Sequence, residues 1–249
     1  DDGQTVVSGD RGTPVERNEN IDGRIAIWHQ GKPLKTPFVA HEKSVTFVAI
    51  SGDGQTIASA GEEGTVKLWT REGELIGEPF EGHEGTVWAV AISNDGQTIA
   101  SGGTDNTVRL WTREGKPIGE PLSGHTERVV SVALSQDGSR VISSSSDNTV
   151  RIWTREGRPV GYPIRGHDEG PEETVWSVDI SQGRIVSGGT DGTLRMWEES
   201  IAQQGWIDYT CNRIQDYLTA NIRKENGEVN EVVREARKAC KQHTSSSGS

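Results

Sequence analysis

Serine, histidine and acidic residues recur together in this sequence, and they are the types that a Ser-His-Asp hydrolase uses for nucleophilic attack. With an accompanying tryptophan, the sets are Ser59, His41, Glu63 and Trp69; Ser101, His83, Asp105 and Trp111; Ser143, His125, Asp147 and Trp153; and Ser187, His167, Asp191 and Trp197. A catalytic site needs one set beside an oxyanion pocket. Four such sets that recur at the same positions of a repeat indicate an architectural role, so we expect no catalytic residue among them.

The four histidines mark an internal repeat, because His41, His83, His125 and His167 are each separated by 42 residues. A period of this size is typical of solenoids, propellers or arrays of small units. In residues 83–124, short apolar or alternating segments are separated by turns such as Asn-Asp-Gly and Thr-Asp-Asn. This pattern predicts a four-stranded antiparallel unit, or blade, from an inner strand to an outer one near Ile118 to Leu122.

Gly-His before the first strand and Trp at the end of the third resemble the WD-repeat β-propeller family over residues 1–198. Thr follows this Trp, as in Trp111-Thr112, where the family often has Asp. The resemblance implies an all-β fold with a buried relay in each blade, in which the acid accepts from His, His meets Ser, and Ser meets the Trp indole. With Glu63 as its acid, the second blade should be the least rigid of the complete ones.

The resemblance also implies that proteins or peptides bind at one end of the blades, which we call the top face. Its candidate residues lie at the start of each inner strand and just before the turn acid. They are Ser44, Thr46, Glu62, Thr86, Trp88, Thr104, Arg128, Val130, Ser146, Thr174, Trp176 and Thr190. The relay does not need Trp88 or Trp176, so each is either an interface anchor or a residue buried by the neighbouring blade.

Both ends of the repeat region depart from complete blades. The first blade has strands at Thr5 to Gly9 and Arg24 to Trp28 and an outer strand near Leu34 to Val39, but no innermost strand. After Thr193 to Trp197, the last blade has no recognisable outer strand. We therefore expect a partial β-propeller of about five four-stranded blades. A second chain or fragment would complete it, or copies would self-associate, because open edges favour aggregation.

The sequence beyond the blades predicts a C-terminal α-helical hairpin over residues 199–243 and a flexible tail or cloning remnant over 244–249. Cys211 and Cys240 lie on the apolar stripes of the two helices. They could pair as a disulfide, but the absence of a recognisable signal peptide and the presence of only two cysteines favour reduced thiols. We expect a cytoplasmic location.

Composition and motif searches narrow the range of partners. The formal net charge of −11 argues against nucleic acid, which requires a basic surface. No apolar run is long enough to span a membrane, and no metal-ligand spacing or phosphate-binding loop is recognisable. We expect no cofactor, no metal and no membrane partner.

We expect a non-enzymatic protein-protein interaction module that serves as the sensor or scaffold of a larger intracellular assembly. The linker Arg-Glu-Gly-x-x-Ile-Gly-Glu-Pro and the tail resemble WD-repeat arrays in large proteins of filamentous cyanobacteria. That resemblance implies an alternative, in which the array regulates a protease, nucleotide-hydrolysing switch or kinase domain that lies upstream or on a companion chain. A third alternative is a purely structural, self-assembling scaffold.

Overall fold

The structure, a computed structural model, describes residues 4–10, 22–167 and 174–199. These ranges contain β-strands and no helix. The strands are β1 Thr5–Gly9, β2 Gly23–His29, β3 Lys32–Pro33, β4 Phe38–His41, β5 Val45–Ile50, β6 Thr56–Gly61, β7 Val66–Thr70, β8 Leu75–Phe80, β9 Val87–Ile92, β10 Thr98–Gly103, β11 Val108–Thr112, β12 Val129–Leu134, β13 Arg140–Ser145, β14 Val150–Thr154, β15 Val175–Ser181, β16 Arg184–Gly189 and β17 Leu194–Glu198.

The strands form five small antiparallel sheets in chain order. Sheet 1 has the order β1-β2-β3, with β4 also paired to β2; sheet 2 is β5-β6-β7-β8, sheet 3 β9-β10-β11, sheet 4 β12-β13-β14 and sheet 5 β15-β16-β17. The predicted all-β fold of small antiparallel sheets is confirmed. The predicted hairpin over 199–243, with Cys211 and Cys240, and the tail over 244–249 lie outside the described residues apart from Glu199.

The hydrophobic core lies between the sheets. Four apolar clusters each join one face of a sheet to the facing side of the next sheet along the chain. Between sheets 3 and 4, for example, Val108 and Leu110 pack with Val141 and Trp153, and all four are at most 2% exposed. Sheets 2, 3 and 4 each contribute to two of these clusters, so an inner strand such as β9 is almost continuously apolar.

The outer segments differ from the predicted four-stranded pattern. In the part of the chain that the structure describes, only sheet 2 has one continuous fourth strand, β8, whereas sheet 1 has two short outer pieces. In sheet 3 the expected strand from Ile118 to Leu122 is reduced to isolated bridges, including one between Trp111 and Pro117. Sheet 4 repeats this through Pro159. Sheet 2 has Leu75 at the same position, so the difference arises because proline lacks the N–H that extends a ladder.

Both ends of the array carry uncovered surface among the described residues. Within the described ranges, β1 pairs with β2 and with no other strand. On β16 and β17, Val186, Leu194 and Met196 form an apolar surface that we call the terminal face. Leu194 is 80% exposed and Met196 68%, whereas the equivalent residue to Met196 in sheet 3, Leu110, is 2% exposed.

Candidate functional site

The acid of each predicted relay sits in the turn between the second and third strands. The residue after it adopts the left-handed conformation in all four turns, with φ of 97° at Gly64, 62° at Asn106, 62° at Asn148 and 71° at Gly192. Glycine and asparagine tolerate this conformation best. The choice of these residues therefore fixes a turn that points the preceding carboxylate back toward the histidine.

The relay forms in all four sheets that contain it. In sheet 3, Trp111 Nε1 donates to Ser101 Oγ at 2.9 Å, Ser101 Oγ lies 2.8 Å from His83 Nε2, and His83 Nδ1 lies 2.9 Å from Asp105 Oδ2. The indole already donates to the serine oxygen, so the hydroxyl donates to Nε2 and the Nδ1–H donates to the carboxylate. The other three relays have the same connectivity through Ser59, Ser143 and Ser187.

Each relay has a fifth member, a threonine hydroxyl, that was not among the residues predicted from the sequence. Thr107 Oγ1 donates to Asp105 Oδ1 at 2.9 Å, and Thr65, Thr149 and Thr193 donate to the acids of the other turns. The sequence does contain a pattern that could have identified it, because a threonine stands two residues after the acid in every copy. This hydroxyl completes the shell of donors around a largely buried carboxylate.

The environment keeps these carboxylates ionised. Burial by itself raises the pKa of Asp105, but the hydrogen bond and charge of His83, with two donors from Thr107, lower the pKa to about 2. Burial and His41 act in the same opposing way on Glu63, whose pKa is also lowered to about 2. The pKa values of Asp147 and Asp191 are lowered further, through the same histidine and threonine contacts.

Glu63 makes the relay of sheet 2 different in detail. Its Oε1 bonds to His41 Nδ1 and accepts from Thr65 Oγ1. Its other oxygen, Oε2, is enclosed and has no hydrogen-bond partner among the described atoms. The longer side chain therefore reaches the histidine but leaves one oxygen unsatisfied. This difference supports the lower rigidity of the second sheet, which stays a prediction.

The geometry of the relay favours architecture over hydrolysis. Ser101 is fully buried, and its Oγ is occupied by both Trp111 and His83. A substrate carbonyl cannot approach an oxygen that is enclosed in this way. Within the described ranges, no group of three or more His, Cys, Asp or Glu residues is placed to hold a metal ion, and no helix is long and apolar enough to cross a membrane.

The predicted top-face residues come together at one end of the sheets. In sheets 2 to 5, the N–H of the residue before the turn acid donates to the carbonyl of the residue that immediately precedes the inner strand. The pairs are Glu62 to Ser44 at 3.0 Å, Thr104 to Thr86 at 3.0 Å, Ser146 to Arg128 at 3.1 Å and Thr190 to Thr174 at 3.0 Å. In each of these sheets, a main-chain hydrogen bond therefore fixes two of the three predicted residues relative to each other.

Accessibility divides these residues into two groups. Thr46, Trp88, Val130 and Trp176 occupy equivalent second positions of β5, β9, β12 and β15. Trp176 is 49% exposed and Trp88 is half-buried, but Val130 and Thr174 are only 8% and 7% exposed. Val130 and Thr174 therefore present little side chain to a partner, and the two tryptophans present much more.

One cation connects the two tryptophans. The guanidinium carbon of Arg128 lies 5.5 Å from the Trp88 ring centroid and 5.7 Å from the Trp176 ring centroid. Arg128 Nε also donates to Ser146 Oγ at 3.1 Å. Both ring distances fall within the range of a cation-π interaction. The cluster spans sheets 3, 4 and 5, which the sequence repeat alone did not reveal.

A depression of about 190 Å³ lies beside this cluster, between sheets 2 and 3. Its lining residues are Ser44, Val45, Thr46, Glu62, Thr86 and Trp88, and all of these except Val45 belong to the predicted top face. Glu62 is the only charged residue in that lining. Trp88 therefore contributes to both the depression and the arginine cluster.

Comparison with known protein families gives four matched segments along the chain. Residues 31–70, 73–112, 115–154 and 159–198 each match the family model described as WD domain, G-beta repeat. Each matched segment runs from the outer segment of one sheet through the three inner strands of the next, and together they span more than half of the chain. A search of curated proteins found no match to this chain.

Proposed function

Because the chain belongs to the WD-repeat family, we propose that it is a protein-protein interaction module that binds a protein or peptide at its top face. The observation that carries this proposal is the position of Trp88 and Trp176. Trp176 is 49% exposed, neither residue belongs to a relay, and together they hold Arg128 between them. Exposed tryptophan and arginine side chains are the commonest energetic anchors of interfaces.

The scaffold beneath the top face supports rigid display. The main-chain hydrogen bonds described above join the start of each inner strand to the turn that carries the relay acid. The relay then ties that turn to the buried serine and tryptophan. A partner would meet side chains that are already positioned, which reduces the entropy lost on binding.

A double variant tests the proposal. Trp88→Ala with Trp176→Ala should abolish capture of partner proteins from a lysate of the source cells, measured by quantitative mass spectrometry. Tyr162→Ala provides the matched control, because Tyr162 is 68% exposed outside the top face. Melting temperatures of all variants should stay close to wild type. Unchanged capture by the double variant, or a large fall in its melting temperature, would contradict top-face binding.

We also propose that the five sheets are blades of an incomplete propeller whose ring is completed by a second chain, a fragment or another copy. The exposed terminal face supports this proposal, as does β1, which has β2 as its single partner strand within the described ranges. Contiguous exposed apolar surface at the end of an array otherwise buried between sheets is typical of an interface.

The remaining sequence-based predictions become part of the proposal unchanged. We propose a non-enzymatic sensor or scaffold in the cytoplasm, and the burial of the relay serines supports the absence of hydrolytic chemistry among the described residues. The alternative, an array that regulates an enzymatic domain upstream or on a companion chain, stays a prediction from the linker resemblance.

A further inference from the structure

We propose that Arg128 is the anchor of a carboxylate-binding site on the top face. The partner would present one peptide carboxylate that is flanked by uncharged or basic residues. This inference rests on the proposed function, because it specifies the chemistry that is recognised at the same face.

Three contacts hold the guanidinium of Arg128 in place. Trp88 and Trp176 contact Arg128 from two neighbouring sheets, with ring centroids 5.5 Å and 5.7 Å from its Cζ. Its Nε is engaged by Ser146 Oγ at 3.1 Å. The side chain is therefore fixed at three points before any partner arrives, which lowers the rotamer entropy that binding would cost.

The terminal nitrogens of Arg128 have no partner among the described residues. Neither terminal Nη group of Arg128 donates to a described atom, and none of the described carboxylates forms an ion pair with it. This is notable in a chain with 37 acidic and 26 basic residues. A guanidinium that is stacked on aromatic rings and open at its terminal nitrogens is suited to a planar, bidentate pair with a carboxylate.

Acidic residues of the same face limit the charge of the partner. Glu62, Glu84 and Glu127 are exposed and lie in the turns and strand starts around the cluster. Their carboxylates repel a polyanion, so a run of acidic residues or a phosphate-rich chain would be rejected. A single carboxylate can pair with Arg128 while a neighbouring basic or polar side chain faces Glu62 in the adjacent depression.

Peptide pools provide a test that needs no knowledge of the natural partner. One pool has an Asp at the centre of random hexapeptides with blocked ends and no other acidic residue, and a matched pool has Asn there. A third pool has the Asn and a free C-terminal carboxylate, and a fourth has two adjacent Asp residues. Retention on the immobilised full chain is measured by mass spectrometry, with the same proteins checked by thermal unfolding.

The expected result is retention of the single-Asp or free-carboxylate pool at least about tenfold above the blocked Asn pool, because a hydrogen-bonded charge pair has that strength. The comparison of those two pools tells which carboxylate is the source. Arg128→Gln should remove the preference. Arg128→Lys should keep only part of it, because lysine lacks the planar fork. Arg158→Gln changes the same charge at an exposed position near the opposite end of the strands and should change nothing.

Two results would overturn the inference. One is equal retention of all pools by wild type, including no retention of any. The other is a carboxylate preference that survives Arg128→Gln. Failure of the proposed function is distinguishable, because it would leave lysate capture unchanged in the Trp88 and Trp176 double variant, whereas wrong ligand chemistry would leave that capture dependent on the tryptophans.

Discussion

The indole Nε1 of Trp111 donates to the fully buried Ser101 Oγ at 2.9 Å. That serine hydroxyl also reaches His83, so it is the central link of a chain that runs from the inter-sheet core to the top-face turn. The same Trp-Ser pair recurs in sheets 2, 4 and 5 at 2.8–2.9 Å. The hydroxyl therefore couples packing between the sheets to the position of the top-face turn.

Removing this hydroxyl should destabilise the fold. In Ser101→Ala, the Trp111 N–H and His83 Nε2 lose their shared partner, and each buried group left unpaired costs about 1–3 kcal/mol. The free energy of unfolding, measured with urea, should fall accordingly. Ser8 occupies the equivalent position in sheet 1, where it is exposed, so Ser8→Ala should change stability by less than about 0.5 kcal/mol. Equal effects at the two positions would contradict the structural role of the relay.

Acid should weaken the relay through its carboxylates. The pKa of Asp105 is lowered from 3.8 to about 2 in the folded chain. A lowered pKa contributes stability that is present above the unfolded value and is lost as the pH falls through the folded value. The contribution of Asp105 should therefore be complete above about pH 4–5 and largely lost near pH 2.

The variant Asp105→Asn isolates this contribution, because asparagine keeps the shape and an acceptor oxygen but cannot ionise. It should be less stable than wild type at pH 7, and the difference should shrink as the pH is lowered toward 2. Urea unfolding at pH 7, 5 and 3 measures the trend. Glu78→Gln, at an exposed carboxylate, is the control. A difference independent of pH would show that the charge of Asp105 is not the stabilising feature.

Replacing the one divergent acid should strengthen sheet 2. Glu63 Oε2 is enclosed without a partner among the described atoms, whereas the aspartates of the other relays also accept from a main-chain N–H, as Asp105 does from Thr107 at 3.2 Å. Glu63→Asp should therefore increase protection of the amides in β5 to β8 against deuterium exchange. The reverse change, Asp105→Glu, should lower protection in sheet 3. If both variants lose protection, each acid is adapted to its own turn and our explanation is wrong.

The repeat made the local structure predictable from the sequence, because the same residue types recur at the same positions in four units. The relay of His83, Ser101 and Asp105, which the family resemblance implied, and the hydrogen bond between Thr86 and Thr104 each lie inside one unit. The Trp88–Arg128–Trp176 cluster could not be predicted, since it depends on how three sheets are placed relative to each other. Pro117 was visible, but the sequence pattern did not show that it reduces a strand to isolated bridges.

The terminal face should mediate association. Leu194 is 80% exposed and Met196 68% on a sheet face whose equivalents in sheets 3 and 4 are buried by the next sheet. Covering apolar surface is favourable by about 25 cal/mol per Å², and another copy can supply the first-sheet side, where Val6 is 60% exposed.

We expect the mass of wild type in light scattering to rise with concentration, and Leu194→Glu with Met196→Glu to remain a single chain. Leu75→Glu, at a residue 47% exposed on β8, is the matched control and should behave as wild type. Val6→Glu should also prevent association if the two end surfaces pair with each other, because head-to-tail contact uses one of each. A single-chain mass for wild type at every concentration would contradict self-association and leave a companion chain as the occupant of this face.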